Sequence, residues 1–114
     1  MNCIRNYPWY RRWHEDYANR GLTIIGVHTP ETATEKQIDE VRKRVREAKF
    51  QFPVVVDNQR QNWERWGNSM WPSVYLIDKR GYIRYWWYGE LNWKGGDGET
   101  RMRAHLEALL AEDP

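Results

Sequence analysis

The sequence predicts a single α/β domain over residues 1–114, with the element order α-β-α-β-α-β-β-α. Short runs of β-branched residues alternate with stretches of helical periodicity, which is typical of a largely parallel sheet covered by helices on both faces. The chain has 114 residues and a net charge of only +2, and its 8 Trp and 7 Tyr supply apolar bulk. This composition excludes a disordered chain and predicts one small aromatic core.

The first predicted helix covers residues 4–20 and ends at Gly21. Pro8 lies inside this stretch and predicts a kink, or a helix that restarts there, because proline cannot continue the backbone hydrogen bonding. The apolar face follows a three- and four-residue spacing through Tyr10, Trp13 and Tyr17.

Residues 22–27 and 53–57 are short, apolar and β-branched, so both are predicted to be buried strands. Between them we expect a helix over residues 32–49. Thr32 followed by Glu35 predicts a capping box at its start.

The second half of the chain predicts a short helix over residues 59–66 and then a β-hairpin. Strands over residues 73–78 and 82–88 flank Asp78-Lys-Arg-Gly81, which has Asp first and Gly last as a type I turn requires. A final helix is predicted over residues 99–111.

Several motifs in this order resemble a known family. The chain is similar to the redoxin or thioredoxin-like family, which includes TlpA-like proteins and the thioredoxin-like domains of DipZ-type and NHL-repeat proteins. The motifs that carry the resemblance are Asn2-Cys3-Ile4-Arg5 with Pro8, Gly26-Val-His-Thr-Pro-Glu31, Pro53-Val-Val-Val-Asp-Asn58, Trp71-Pro72, and Leu76-Ile-Asp78 with Gly81.

The resemblance implies a thioredoxin-like fold that lacks the strand before the Cys-x-x-Cys motif. It places the first, attacking cysteine one position before Met1, so Cys3 corresponds to the second, resolving cysteine. It implies a thiol-disulfide oxidoreductase acting on protein thiols or disulfides, impaired because the attacking cysteine is absent. The alternative from a different class is a non-catalytic thioredoxin-fold interaction module.

The absent strand leaves three alternatives open. Residues 22–27 pair directly with 74–78, or a partner chain covers the exposed sheet edges in a homodimer. A third alternative is that Met1 is an internal or wrongly chosen start of a longer protein.

Trp71 and Pro72 are the predicted substrate-binding residues, because the resemblance implies a cis peptide bond beside the cysteine pair. The alternative is an ordinary trans proline that begins a strand. For Cys3, the catalytic candidate, the alternative to a reactive thiol is a buried small apolar residue.

Other polar and aromatic residues are weaker candidates. Asp57 and Asn58 follow a strand where ligands approach parallel sheets, although a strand-ending Asx turn is preferred. The consecutive aromatics from Trp86 to Tyr88 must expose a large ring on each face of a strand, and we expect the last helix to cover one face.

The sequence gives few signals for other ligands. The three histidines, which show no metal-ligand spacing, are His14, His28 and His105. No metal or cofactor is predicted, no nucleic acid is expected because the basic residues form no stripe, and no apolar run is long enough to span a membrane.

Overall fold

A computed structural model describes residues 2–114, with side chains from Ile4 onward. Contacts divide the chain into two compact units. The first unit joins the segment up to Leu22 with Ser69–Pro114, and the second unit is Thr23–Asn68. The first unit is therefore assembled from two segments that are distant in sequence.

The elements follow the predicted order, with short 3₁₀ helices at Asn2–Asn6, Ala18–Arg20, Thr34–Lys36 and Trp93–Gly95. In chain order, the α-helices and strands are α1 (Tyr7–Tyr17), β1 (Gly26–His28), α2 (Ile38–Ala48), β2 (Val54–Val56), α3 (Gln61–Arg65), β3 (Ser73–Ile77), β4 (Ile83–Tyr88) and α4 (Gly98–Ala111). None of the helices in residues 2–114 combines the length and apolar character that crossing a bilayer requires.

The opening helix restarts as its proline predicts. The 3₁₀ helix ends at Asn6, and α1 begins one residue before Pro8, which therefore lies in the first turn where its missing N–H costs nothing. Trp13 and Tyr17 are buried. Gly21 ends the segment with a φ of +106°, a conformation that favours glycine.

The predicted β-hairpin is confirmed. Strands β3 and β4 are antiparallel, with Ser73 opposite Tyr88 at the open end. In the connecting turn the Asp78 Oδ1 accepts hydrogen bonds from the backbone N–H groups of Arg80 and Tyr82, each at 2.9 Å. The Asp78 side chain thus fixes the turn that sets the register of the two strands.

Helix α4 packs on one face of β4, as expected. The rings of Tyr85 and His105 stack with centroids 3.7 Å apart, and Trp87 is half-buried. Trp86 and Tyr88 lie on the opposite face and are 56% and 49% exposed. The buried face of α4 is formed by Met102, Leu106 and Leu109.

In the second unit, β1 pairs with β2 in parallel. The prediction that both strands are buried is wrong: Val27 and Val55 are 45% and 49% exposed. The strands are also shorter than predicted, since β1 begins at Gly26 and β2 contains three residues. Each strand pairs only with the other, so few of its residues are held by hydrogen bonds between strands.

The prediction of one sheet is wrong for the described residues. They contain two separate two-stranded sheets, β1–β2 and β3–β4. The direct pairing of residues 22–27 with 74–78 does not occur, because neither sheet contains both segments. Both strands of a two-stranded sheet are edge strands, so the predicted edges are present.

The predicted capping box at Thr32 is also wrong. The Glu35 backbone N–H donates to the Thr32 carbonyl, and the Glu35 carboxylate accepts from the Glu31 N–H at 2.9 Å. These bonds close a 3₁₀ turn, and α2 begins only at Ile38. The Thr-x-x-Glu pattern therefore stabilises a turn that precedes the helix.

Asp57 anchors the start of α3 in the second unit. Its carboxylate accepts hydrogen bonds from the Trp63 and Asn62 N–H groups at 2.9 and 3.1 Å and from the Thr29 hydroxyl at 2.9 Å. Burial alone raises the pKa of Asp57, but these hydrogen bonds outweigh it and hold the pKa below its usual value of 3.8. Asp57 therefore has a structural role, in keeping with the strand-ending turn that the sequence favours over a ligand site.

We expect Asp57→Ala to lower the free energy of unfolding by about 1–2 kcal/mol, the usual cost of losing a helix-capping acceptor. Because the folded-state pKa is lowered, the wild-type advantage is complete above the usual pKa of 3.8 and disappears as the pH falls through the folded-state value. Urea unfolding between pH 7 and pH 2 measures both effects. The matched control is Asp39→Ala, whose carboxylate is exposed; an equal loss in that variant contradicts the prediction.

Candidate functional site

The loop before β3 carries the predicted substrate-binding residues. The Trp71–Pro72 peptide bond is cis, as the family resemblance implies. Pro72 is buried and Trp71 half-buried. The Pro72 carbonyl accepts a hydrogen bond from the Gly89 N–H at 2.8 Å, and the Ser73 hydroxyl donates to the Met70 carbonyl at 2.7 Å. Two hydrogen bonds therefore fix this loop at the open end of the hairpin.

Cys3, the predicted catalytic residue, belongs to the 3₁₀ helix that precedes α1. Its side chain lies outside the part of the chain whose side chains the structure describes. The backbone from Asn2 to Asn6 continues directly into α1. The position of Cys3 therefore follows from what holds Asn6 and the first turns of α1.

Asn6 makes a buried connection between the opening helix and the loop after β4. Its side chain is 1% exposed. The Asn6 Nδ2 donates to the Gly89 carbonyl at 3.2 Å and to the Tyr10 hydroxyl at 3.0 Å, while Oδ1 accepts from the Leu91 N–H at 2.9 Å. Gly89 thus contacts both Asn6 and Pro72, and it joins the opening helix to the Trp71–Pro72 loop.

An ion pair lies beside this connection. Arg5 Nη1 is 3.3 Å from Glu90 Oε1, and the Glu90 side chain is only 6% exposed whereas that of Arg5 is 74% exposed. The Trp87 indole N–H donates to the Glu90 carbonyl at 3.1 Å. Without the guanidinium, the buried Glu90 carboxylate would be an uncompensated charge, whereas the exposed Arg5 guanidinium is solvated by water in either case.

A second polar network holds the other end of α1 against α4. The Trp13 indole N–H donates to Glu99 at 2.8 Å, and Arg103 bonds to both Glu99 and Asp16, at 3.1 and 2.7 Å. Burial lowers the pKa of Arg103, but the hydrogen bonds to Asp16 and Glu99 outweigh it and raise the pKa above its usual value. Arg103 therefore stays charged.

The remaining predicted candidates do not join this site. His28 and Asp57 belong to the second unit, where the His28 Nε2 donates to the Glu35 carbonyl at 2.7 Å. Asn58 donates to the Lys36 carbonyl at 3.0 Å. His14 and His105 lie in the first unit, where both are half-buried.

Sequence reasoning missed Asn6, Glu90 and Glu99. Each is a buried polar residue with a hydrogen-bond partner at least 85 residues away in the sequence. Asn6 offered one usable signal, since it is an uncharged polar residue one turn after Cys3 and directly before an aromatic helix face.

The fold and this arrangement define a thioredoxin-like domain. A crystal structure of a thiol-disulfide isomerase from Corynebacterium glutamicum superposes with a TM-score of 0.83, covering 98% of this chain and 74% of that one at 22% identity. The predicted fold class is confirmed.

The family follows from sequence comparison. The profile of the AhpC/TSA family matches residues 1–86, so the chain belongs to this family. It is 39% identical over 90 residues to protein DipZ of Mycobacterium tuberculosis, covering 79% of this chain and 13% of DipZ. It is 22% identical over 110 residues to thiol-disulfide oxidoreductase YkuV of Bacillus subtilis, covering 96% of this chain and 70% of YkuV. The predicted resemblance is confirmed, and the chain is a redoxin domain of the thiol-disulfide oxidoreductase type.

Gly98, at the start of α4, lies against the backbone of Leu91 and the ring of Trp87. A methyl group at Gly98 would overlap the Leu91 carbonyl oxygen and lie 2.6 Å from Trp87 Cζ2. We expect Gly98→Ala to lower the free energy of unfolding by about 1–3 kcal/mol, because a packed backbone carbonyl cannot move aside freely.

Thermal and urea unfolding measure this loss. The control is Thr100→Ala, an exposed position two residues further along the same helix, which we expect to be neutral. A Gly98→Ala variant as stable as the wild type contradicts the close packing of α4 on Leu91.

Proposed function

We propose that Cys3 is the redox-active thiol of this domain and that Trp71 and Pro72 form the wall against which a protein substrate lies. The observation that carries the proposal is the pair of hydrogen bonds at Gly89, which joins the Pro72 carbonyl to Asn6, three residues after Cys3. The substrate class is protein thiols or disulfides, in keeping with the relatives named as thiol-disulfide oxidoreductases.

The chemistry available to one cysteine is half of a redox cycle. The Cys3 thiolate attacks one sulfur of a substrate disulfide, the substrate S–S bond breaks, and a disulfide forms between Cys3 and the substrate. The other substrate sulfur leaves as a thiolate and takes up a proton. To complete the cycle, a second thiolate of the protein must then attack the Cys3 sulfur. This attack forms a disulfide between the two protein cysteines and releases the substrate as a thiol.

That second thiol is not in the 114-residue chain, because Cys3 is its one cysteine. We therefore propose that this polypeptide alone forms mixed disulfides but does not complete a dithiol cycle.

The two units act together in this proposal as a single thioredoxin-like domain. The chain spans only 13% of the length of DipZ. The whole relative's activity, substrates and partners are therefore outside the proposal.

A non-catalytic interaction module is the second candidate function. It is favoured by the outer face of the β3–β4 hairpin, where Trp86 and Tyr88 are 56% and 49% exposed. Exposed aromatic clusters mark surfaces that contact other proteins. Under this alternative, protein binding survives Cys3→Ser and is lost with Trp86→Ala.

We expect the wild-type chain to form a mixed disulfide with a short peptide whose cysteine is disulfide-bonded to thionitrobenzoate. Mass spectrometry measures one peptide per chain, and the Cys3→Ser variant forms none. In insulin reduction by dithiothreitol, we expect wild type and Cys3→Ser to give similar rates, because the chain cannot cycle alone. A wild-type chain without an adduct contradicts the assignment of Cys3, and a large wild-type acceleration contradicts the half-cycle.

We expect Trp71→Ala to slow mixed-disulfide formation with the peptide about two- to tenfold, the rate equivalent of losing one aromatic contact. Stopped-flow release of thionitrobenzoate measures the rate. The matched control is Trp93→Ala, an exposed tryptophan of the same unit that we expect to leave the rate unchanged. Equal rates for the two variants would remove Trp71 from the substrate wall.

We further propose that the chain forms a homodimer through its sheet edges. All four strands within residues 2–114 are edge strands of two-stranded sheets, and such edges present backbone groups that can pair with another chain. We expect size-exclusion chromatography with light scattering to give twice the 13.9 kDa chain mass. A monomer at high protein concentration contradicts this proposal.

A further inference from the structure

A buried amide connects the two parts of the proposed site. We propose that Asn6 is a positioning residue, which holds the turn bearing Cys3 in a fixed place relative to the Trp71–Pro72 loop. The inference rests on the proposed function of Cys3 and the loop, and it assigns a role in that function to a residue outside the cysteine motif.

The connection consists of two consecutive hydrogen bonds. The Asn6 Nδ2 donates to the Gly89 carbonyl at 3.2 Å, and the Gly89 N–H donates to the Pro72 carbonyl at 2.8 Å. Gly89 has a φ of +89°, in the left-handed region where glycine is favoured. One residue thus binds the opening helix on one side and the proline loop on the other.

The two N–H donors and the oxygen acceptor of the Asn6 side chain all have hydrogen-bond partners at this position. Both Nδ2 hydrogens have acceptors, the Gly89 carbonyl and the Tyr10 hydroxyl, and Oδ1 accepts from the Leu91 N–H. Among the amino acids, only asparagine and glutamine combine two donors and an acceptor in one amide. Because the site is 1% exposed, the extra methylene of glutamine does not fit without displacement.

Cys3 lies three residues before Asn6 in the same 3₁₀ helix. A 3₁₀ helix has three residues per turn, so the backbone of Cys3 lies one turn before the backbone that the amide holds. Loosening Asn6 therefore lets the Cys3 turn move while the thiol itself is unchanged. The expected defect concerns alignment with a bound peptide and not the intrinsic reactivity of the sulfur.

A purely structural role for Asn6 is the alternative, and the chain offers a matched control for it. Trp13→Phe removes the indole donor to Glu99, and so weakens the attachment of α1 to α4 without touching the Gly89 connection. Tyr10→Phe removes one partner of the Asn6 amide and keeps the bond to Gly89. Both variants lose stability but retain the proposed positioning contact.

The experiment compares two disulfides that present the same leaving group to Cys3. One is the peptide linked to thionitrobenzoate, and the other is free cysteine linked to thionitrobenzoate. The ratio of the two second-order rate constants cancels any change in the pKa or exposure of the thiol. Urea unfolding of each variant gives its stability, and amide hydrogen exchange of Leu91 reports whether the Asn6 contact has been lost.

We expect Asn6→Ala to lower this rate ratio by about ten- to a hundredfold, the effect of displacing a reacting group by about 1 Å. Asn6→Asp keeps an acceptor for Leu91 but loses both donors, so it should lower the ratio similarly while the Leu91 amide stays protected. Trp13→Phe and Tyr10→Phe should retain the wild-type ratio. If Asn6→Asp does not fold, Asn6→Ala alone decides between the outcomes.

Three results overturn the proposal, and they differ in what they leave standing. An Asn6→Ala ratio equal to that of the wild type, with Trp71→Ala still slow, removes the role of Asn6 and keeps the proposed function. A wild-type chain that reacts no faster with the peptide than with free cysteine disulfide removes both. A fall in the Trp13→Phe ratio equal to that of Asn6→Ala assigns the effect to stability and also overturns the proposal.

Discussion

The placement of the opening helix depends on one buried amide. The first unit is built from two segments separated by the 46 residues of Thr23–Asn68, so its two parts must be held by contacts distant in sequence. Asn6 supplies two such bonds, to Gly89 and Leu91, and a third bond to nearby Tyr10, from a side chain that is 1% exposed. A buried polar group that lost its partners would cost about 1–3 kcal/mol, so the arrangement that satisfies all of them is strongly preferred over its alternatives. The bond to Gly89 also connects the 3₁₀ helix that contains Cys3 with the proline loop.

The two ends of α1 are held by different chemistry. At its start, the neutral amide of Asn6 bonds to backbone groups, whose positions are set by the hairpin. At the middle and end, Trp13 and Arg103 bond to carboxylates on side chains. Backbone partners move less than long charged side chains, so the end that carries Cys3 is held by the more rigid contacts. This difference fits the role proposed for Cys3, whose thiol would have to meet an incoming disulfide in one orientation.

Most local signals in the sequence predicted the structure correctly, although the Thr32–Glu35 pattern predicted a helix start where a 3₁₀ turn forms. Pro8 predicted where the helix restarts, and Asp78 with Gly81 predicted the hairpin turn, because each depends on residues within a few positions. The burial of β1 and β2 and the single sheet were mispredicted, since both depend on which strands lie next to each other. The Asn6 contacts were missed for the same reason: two of its partners are 83 and 85 residues away. The family resemblance indicated the cis bond, for which composition and spacing carry no signal.

The proposed separation of peptide binding from redox cycling depends on where the required groups lie. Binding a peptide needs a fixed wall and a thiol aligned with it, and the first unit contains Trp71, Pro72 and the turn that bears Cys3. Completing a dithiol cycle needs a second sulfur, and no contact of the fold can replace it. Alignment and turnover are therefore distinct properties in this domain. Under this proposal, a cysteine added one turn before Cys3 gives turnover only if the amide of Asn6 already supplies the alignment.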